Sequence, residues 1–237
     1  MRILLINPNT TPAITALVSQ ALRDFLPPES EVIEATGRFG SAYITSRASY
    51  AIGGHAALDA LACHANIPLD AVMLACFGDP ALSALREISA VPVIGMAEAA
   101  CLLATKSDGP FSIVTGGTAW VPLLREFVSA IGLSDRLASV RASAMTGGEI
   151  ARDPDGALSL LSTEIDACQA DGARQVILGG AGLAGLSKRL ASRSALPIVD
   201  CVEAMARMTM EAIHHDRQAG HSSRTSPQAS FFRANLQ

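Results

Sequence analysis

Aromatic residues make up only 4% of this 237-residue chain, with one tryptophan, and charged residues only 17%. The net charge is −4 and no Lys/Arg cluster occurs. The chain therefore lacks the basic, stacking-rich surface by which proteins hold nucleic acid. No apolar run approaches the roughly 18–20 residues needed to cross a bilayer, so no membrane partner is expected. Residues 1–7 turn polar too soon for a secretory signal and read as a first buried strand. The five cysteines are odd in number and contain no C-x-x-C pair. That argues against a disulfide framework or zinc site and predicts a reducing, cytoplasmic setting. The histidines show no metal-ligand spacing either, and neighbours His214 and His215 face different sides of a helix. What the chain does have is apolar content, 49%, enough to bury the core of one large domain or two small lobes.

Short apolar runs without alternation recur at 2–6, 71–75, 91–94, 112–114, 175–178 and 197–199, separated by longer helical patterns such as 53–65. Buried strands alternating with helices predict an α/β fold with a mainly parallel sheet covered on both faces. The pattern also repeats. Ile6-Asn7-Pro8-Asn9-Thr10 corresponds to Val114-Thr115-Gly116-Gly117-Thr118. Val72 through Gly78 corresponds to Val176 through Gly182, and Val91 through Glu98 to Leu196 through Glu203. Three correspondences in one order predict two pseudo-symmetric lobes, 1–97 and 98–205, with 206–215 packing back on the first. From 216 to 237 the periodicity fades, which predicts a polar tail, mobile or draped on a neighbouring subunit, with Phe231 and Phe232 as docking points. Ligands of such folds bind at the carboxyl ends of the strands, so one cleft between the lobes is expected.

The repeat places Cys76 opposite Gly180, one thiol where the architecture has room for two. Cys76 ends a strand before Gly78-Asp79-Pro80, where a helix cap at Asp79 and its dipole would favour the thiolate. Gly180-Ala181-Gly182-Leu183-Ala184-Gly185 matches G-x-G-x-x-G, with Asp200 about 20 residues on. Its late position, and its equivalence to a copy lacking that spacing, argue against dinucleotide binding. Small-anion binding by backbone N–H groups fits the glycines better. Asn9, Thr10 and Thr11, matched by Thr115, Gly117 and Thr118, read as paired cradles for a polar substrate or as helix caps. Trp120 is a candidate wall of the cleft. Glu98 and Asp200 are candidates for tuning the thiol or for capping helices, and Cys201 is a candidate second thiol.

Ile6-Asn7-Pro8-Asn9-Thr10-Thr11, Ala75-Cys76-Phe77-Gly78-Asp79-Pro80, the run from Pro92 to Ala99 and Leu178-Gly179-Gly180-Ala181-Gly182 together resemble the aspartate/glutamate/hydantoin racemase superfamily. The resemblance covers nearly all of 1–213 and is strongest to the hydantoin and allantoin racemase branch. It implies two α/β lobes, no cofactor, a homo-oligomer, and substrate contacts near Phe77, Gly78, Ala181 and Gly182. It also implies a two-thiol mechanism, one cysteine removing the proton α to a carbonyl while the other delivers one to the opposite face. Cys76 matches the first thiol; glycine stands at the second, and glycine can carry no side-chain proton. Three readings follow. One is a racemase-family enzyme impaired or one-sided at position 180, acting on a hydantoin, allantoin or amino-acid-like substrate. The others are a single-cysteine decarboxylase or isomerase of the arylmalonate decarboxylase type, and a small-molecule binder without chemistry.

Overall fold

The structure, a computed structural model, describes residues 1–218. Its first half runs β1 (Arg2–Asn7), α1 (Pro12–Leu22), β2 (Glu31–Thr36), α2 (Arg47–Cys63), β3 (Ala71–Leu74), α3 (Leu82–Ile88), β4 (Val93–Gly95) and α4 (Met96–Thr105). The second runs β5 (Phe111–Gly116), α5 (Trp120–Ala130), β6 (Leu137–Ser143), α6 (Gly147–Arg152), α7 (Pro154–Ala170), β7 (Gln175–Leu178), α8 (Ser187–Ala191), β8 (Ile198–Asp200) and α9 (Cys201–Gln218). Two four-stranded parallel sheets result, ordered β2-β1-β3-β4 and β6-β5-β7-β8. The central strands β1, β3, β5 and β7 are buried except at Arg2 and mostly apolar, as a sheet covered on both faces requires.

The sheet registers superpose the halves. Ile6 lies beside Leu74 as Val114 lies beside Leu178, and Leu74 beside Gly95 as Leu178 beside Asp200. Cys76 and Gly180 are thus equivalent, as are Asn7 and Thr115. The halves are tied by an exchange of helices: α4 reaches β7 and β8, α9 reaches β3 and β4, and the two helices touch. Small residues permit this close approach, Ala97, Ala99, Ala100 and Ala104 on α4 meeting Ala204 and Ala206 of α9 in one core with Ile3, Met73, Ile113 and Ile177. Met96 and Met205 are fully buried there, each contributing about 1.5–3 kcal/mol by removal from water.

The edge strands β2 and β6 are absent from the apolar runs of the sequence, because they keep polar residues such as Glu31, Glu34 and Arg141 among their apolar ones, whereas the opposite edges β4 and β8 overlap such runs. Helix α2 begins at Arg47, six residues before the predicted start, behind a capping box of Ser46 and Ser49. The polar tail expected from 216 lies, with His221, Phe231 and Phe232, largely outside the described residues; within them α9 stays helical to Gln218.

Candidate active site

Two turns at the carboxyl ends of equivalent strands face one cavity. In the first, the Ala75 N–H donates to Ile6 O (2.8 Å) and the Asp79 N–H to Cys76 O (3.0 Å). In the second, the Gly179 N–H donates to Val114 O (2.9 Å) and the Leu183 N–H to Gly180 O (2.9 Å). Cys76 and Gly180 therefore open matching turns, but their backbones differ. Gly180 has φ +147°, a conformation L side chains rarely adopt, and a Cβ there would lie 3.0 Å from Leu183 Cδ1. Gly78 is constrained otherwise: Tyr50 Oη donates to its carbonyl (2.6 Å), and a Cβ would lie 2.8 Å from the Trp120 ring. Only glycine lets the indole close over this turn.

The cavity is about 70 Å³. It brings together, of the residues singled out in the sequence, Cys76, Phe77, Asn9, Thr115, Gly180, Ala181, Gly182 and Trp120. Cys76 is 7% exposed, yet it lines this space rather than the hydrocarbon core alone. Thr10, Gly78, Gly117, Thr118, Glu98, Asp200 and Cys201 do not line it. The paired cradles are correspondingly lopsided: one half supplies Asn9, the other Thr115 and Gly116. Asn9 Oδ1 accepts from Asn7 Nδ2 and Thr11 N, both at 2.9 Å, which fixes the side-chain amide and leaves Nδ2 as a donor. Among the described residues, the N–H groups of Phe77, Gly78, Ala181 and Gly182 also have no protein acceptor.

The sequence reading missed the loop after β2, which contributes Tyr43, Ile44 and Thr45, and the start of α6, which contributes its N-cap Thr146 with Gly147 and Gly148. Tyr43 lies flat against Gly148, where a Cβ would meet the ring at 2.4 Å, so the two lobes close on each other. The repeat Thr115-Gly116-Gly117 / Thr146-Gly147-Gly148 was the available signal. No lining side chain is charged, and no three His, Cys, Asp or Glu side chains gather as a metal site among the described residues.

The electrostatics of the thiol contradict the expectation from sequence. Burial, and secondarily the Asp79 carboxylate, push the Cys76 thiol well above its usual range, so the neutral form predominates and the thiolate is the minor species. No helix dipole opposes this: α3 starts six residues later, its Ala81 N-cap is left-handed (φ +61°), and no side chain caps it. Asp79 caps α4 instead, accepting from the Ala97 N–H (3.0 Å) and the Glu98 N–H (2.7 Å). It fills the space in front of Gly95, and burial pushes it up to about 7 against the pull of those amides. Tyr50 is raised to about 12 by burial, then by Cys76 and Asp79.

Glu98 is occupied elsewhere, forked onto Arg86 at the helix start. Asp200 caps α9 through the N–H groups of Val202 (2.7 Å) and Glu203 (3.1 Å) and accepts from the Ser187 hydroxyl. Cys201 begins α9 inside the shared core, its thiol raised by burial and by Asp200. The glycine-rich run 180–185 forms a short 3-10 turn, Ala181–Leu183, followed only by the five-residue α8. No long helix presents its N-terminus there, as dinucleotide binding would require.

Fold and site together define a two-lobed α/β protein of internal repeats with a single thiol in an interlobe cavity. The sequence model of the Asp/Glu/Hydantoin racemase family matches residues 3–209, and the chain belongs to that family. It is 34% identical over 218 residues to the hydantoin racemase of Paenarthrobacter aurescens, covering 88% of this chain and 89% of the relative. The crystal structure of allantoin racemase from Pseudomonas fluorescens superposes with a TM-score of 0.86 at 31% identity, covering 91% of this chain and 92% of that one. Arylmalonate decarboxylase superposes with a TM-score of 0.63 at 16% identity, covering 90% and 92%, a likeness of fold alone. By family the protein is an isomerase of the racemase type.

Proposed function

We propose that the protein moves the proton on a carbon α to a carbonyl in a small neutral ring of the hydantoin or allantoin type, with Cys76 as the proton carrier. The observation that carries this reading is a thiol opening on a largely apolar cavity that offers hydrogen-bond donors but no charged side chain. A free amino acid would bring a carboxylate and an ammonium to walls that offer neither counter-ion, a costly desolvation. A cyclic imide brings carbonyl oxygens, for which Asn9 Nδ2 and the free N–H groups of 77–78 and 181–182 are suited donors. As Cys76 takes the proton, charge develops on the adjacent oxygen, and such donors are worth about 10²–10³ each in rate. Ile14, Ile44 and Trp120 supply apolar walls for a ring substituent.

The test is solvent-deuterium incorporation, read by mass spectrometry, on 5-substituted hydantoins, allantoin and amino acids. Incorporation is expected into the ring imides and not into the amino acids, with a loss of about 10² or more in Cys76→Ala. Undiminished exchange in Cys76→Ala would end the reading. One thiol also suits protonation after loss of carbon dioxide, but a malonate brings two carboxylates to a cavity without a cation. Carbon dioxide release from α-disubstituted malonates, dependent on Cys76, would favour that chemistry instead. Thermal stabilisation by a hydantoin that survives Cys76→Ala without exchange would mark a binder.

A further inference from the structure

Racemisation needs a proton delivered on the face opposite the one from which it is taken, and Gly180, opposite Cys76, has no side chain to deliver it. Thr115 is the residue placed to do so. It is the penultimate residue of β5, is only 4% exposed and lines the cavity. Its Oγ1 has no hydrogen-bond partner among the described residues. It stands 3.6 Å from where a Cβ on Gly180 would lie. Its symmetry mate behaves differently. Asn7, at the same point of β1, is fully buried and spends its amide on Asn9 Oδ1, Thr11 O and Thr15 Oγ1. One half thus uses this position to knit its own loop. The other half leaves a hydroxyl aimed into the cavity beside the glycine.

We propose that Thr115, through a water it holds beside Gly180, serves the face opposite Cys76, making it a positioning residue for that water. This rests on Cys76 being the proton carrier. The Cys76 thiolate takes the proton; the C–H electron pair passes into the neighbouring carbonyl and gives an enolate. The water on Thr115 Oγ1 gives a proton to the opposite face of the carbon and becomes hydroxide. As product leaves, hydroxide takes the proton held by Cys76, which restores both the thiolate and the water. One of the two free N–H groups of Ala181 and Gly182 is a further partner for that water, which needs two to four, and the other is left to the substrate.

The experiment measures deuterium exchange and optical inversion separately, in deuterium oxide, on one enantiomer of a 5-substituted hydantoin. Thr115→Val should lower inversion by about 10² or more while exchange with retention through Cys76 falls only a few-fold. Thr115→Ser, which keeps the hydroxyl, should keep inversion within a few-fold, and melting temperatures check folding. Thr115→Ala replaces the valine variant if that one does not fold. Inversion unchanged in Thr115→Val overturns the proposal, and so does parallel loss of exchange and inversion, which would make Thr115 an oxyanion donor. Exchange without inversion in the unaltered protein also overturns it, and leaves the role of Cys76 standing. Failure of Cys76→Ala to reduce exchange is the separate outcome that removes the reading beneath.

Discussion

Asp79→Asn should flatten the pH dependence of stability. Asp79 is 3% exposed, and burial raises its carboxyl from an ordinary 3.8 to about 7. A group whose folded pKa lies above its unfolded value stabilises the fold fully below the unfolded value and loses that contribution as pH rises through the folded one. The gap is about three units at ~1.36 kcal/mol each, so up to about 4 kcal/mol is lost between pH 4 and 7. Asparagine cannot ionise and removes this slope. It also presents one acceptor oxygen and one N–H donor where the carboxyl group presented two oxygens, to Ala97 and Glu98, which costs about 1–3 kcal/mol at every pH. The variant should therefore be the weaker protein near pH 4.5 and match or exceed its parent by pH 8. Asp59, Asp70, Glu149 and Asp171, all held below their usual range, impose an opposite slope, but they are common to both chains and cancel in the difference. Urea unfolding of both proteins from pH 4.5 to 8 reads the effect. Parallel curves would refute it.

Gly180→Cys should cost about 1–3 kcal/mol, because φ +147° suits no L side chain and Leu183 must yield; melting equal to that of the parent would show the turn to be adaptable. Proton exchange should rise with pH through the neutral and alkaline range, because burial keeps the Cys76 thiolate scarce until well above the ordinary 9.0. Iodoacetamide should likewise modify Cys76 slowly at pH 7 in a Cys63→Ser background, since Cys63 is the exposed thiol. A rate plateau below pH 8 would show that the thiol ionises more readily than its burial implies.

The repeat was legible because buried central strands must be continuously apolar, and equivalent strands then carry alignable text such as Val72–Leu74 and Val176–Leu178. The edge strands β2 and β6, partly solvated, carry no such signature. Cys76, Asn9, Phe77 and Trp120 were visible because strand ends and rare residue types can be located without knowing how the lobes dock. Tyr43 and Gly148 were not, since their meaning is mutual: a ring from one lobe laid on a glycine of the other. The state of the thiol was misread for a related reason. Sequence proximity put a helix start just after Cys76, whereas Asp79 reaches 18 and 19 residues ahead to cap α4. Burial, which decides the protonation state, is a property of the closed interface.

The two halves solve one problem differently, and the difference bears on the missing thiol. Both α4 and α9 begin inside the core and need a carboxylate on their first N–H groups. In the second half the carboxylate is Asp200, at the strand end itself. In the first, the equivalent residue is Gly95, and Asp79 arrives from the cysteine turn to fill the gap. The position matching Asp79 in the second half is Leu183, whose side chain joins the core under β7 and lies where a side chain on Gly180 would begin. Moving the cap from turn to strand end thus frees the second turn for an apolar residue, and that residue, with the backbone twist at 180, closes the place to a cysteine. The loss at 180 is built into its turn, and restoring sulfur alone would not restore symmetry.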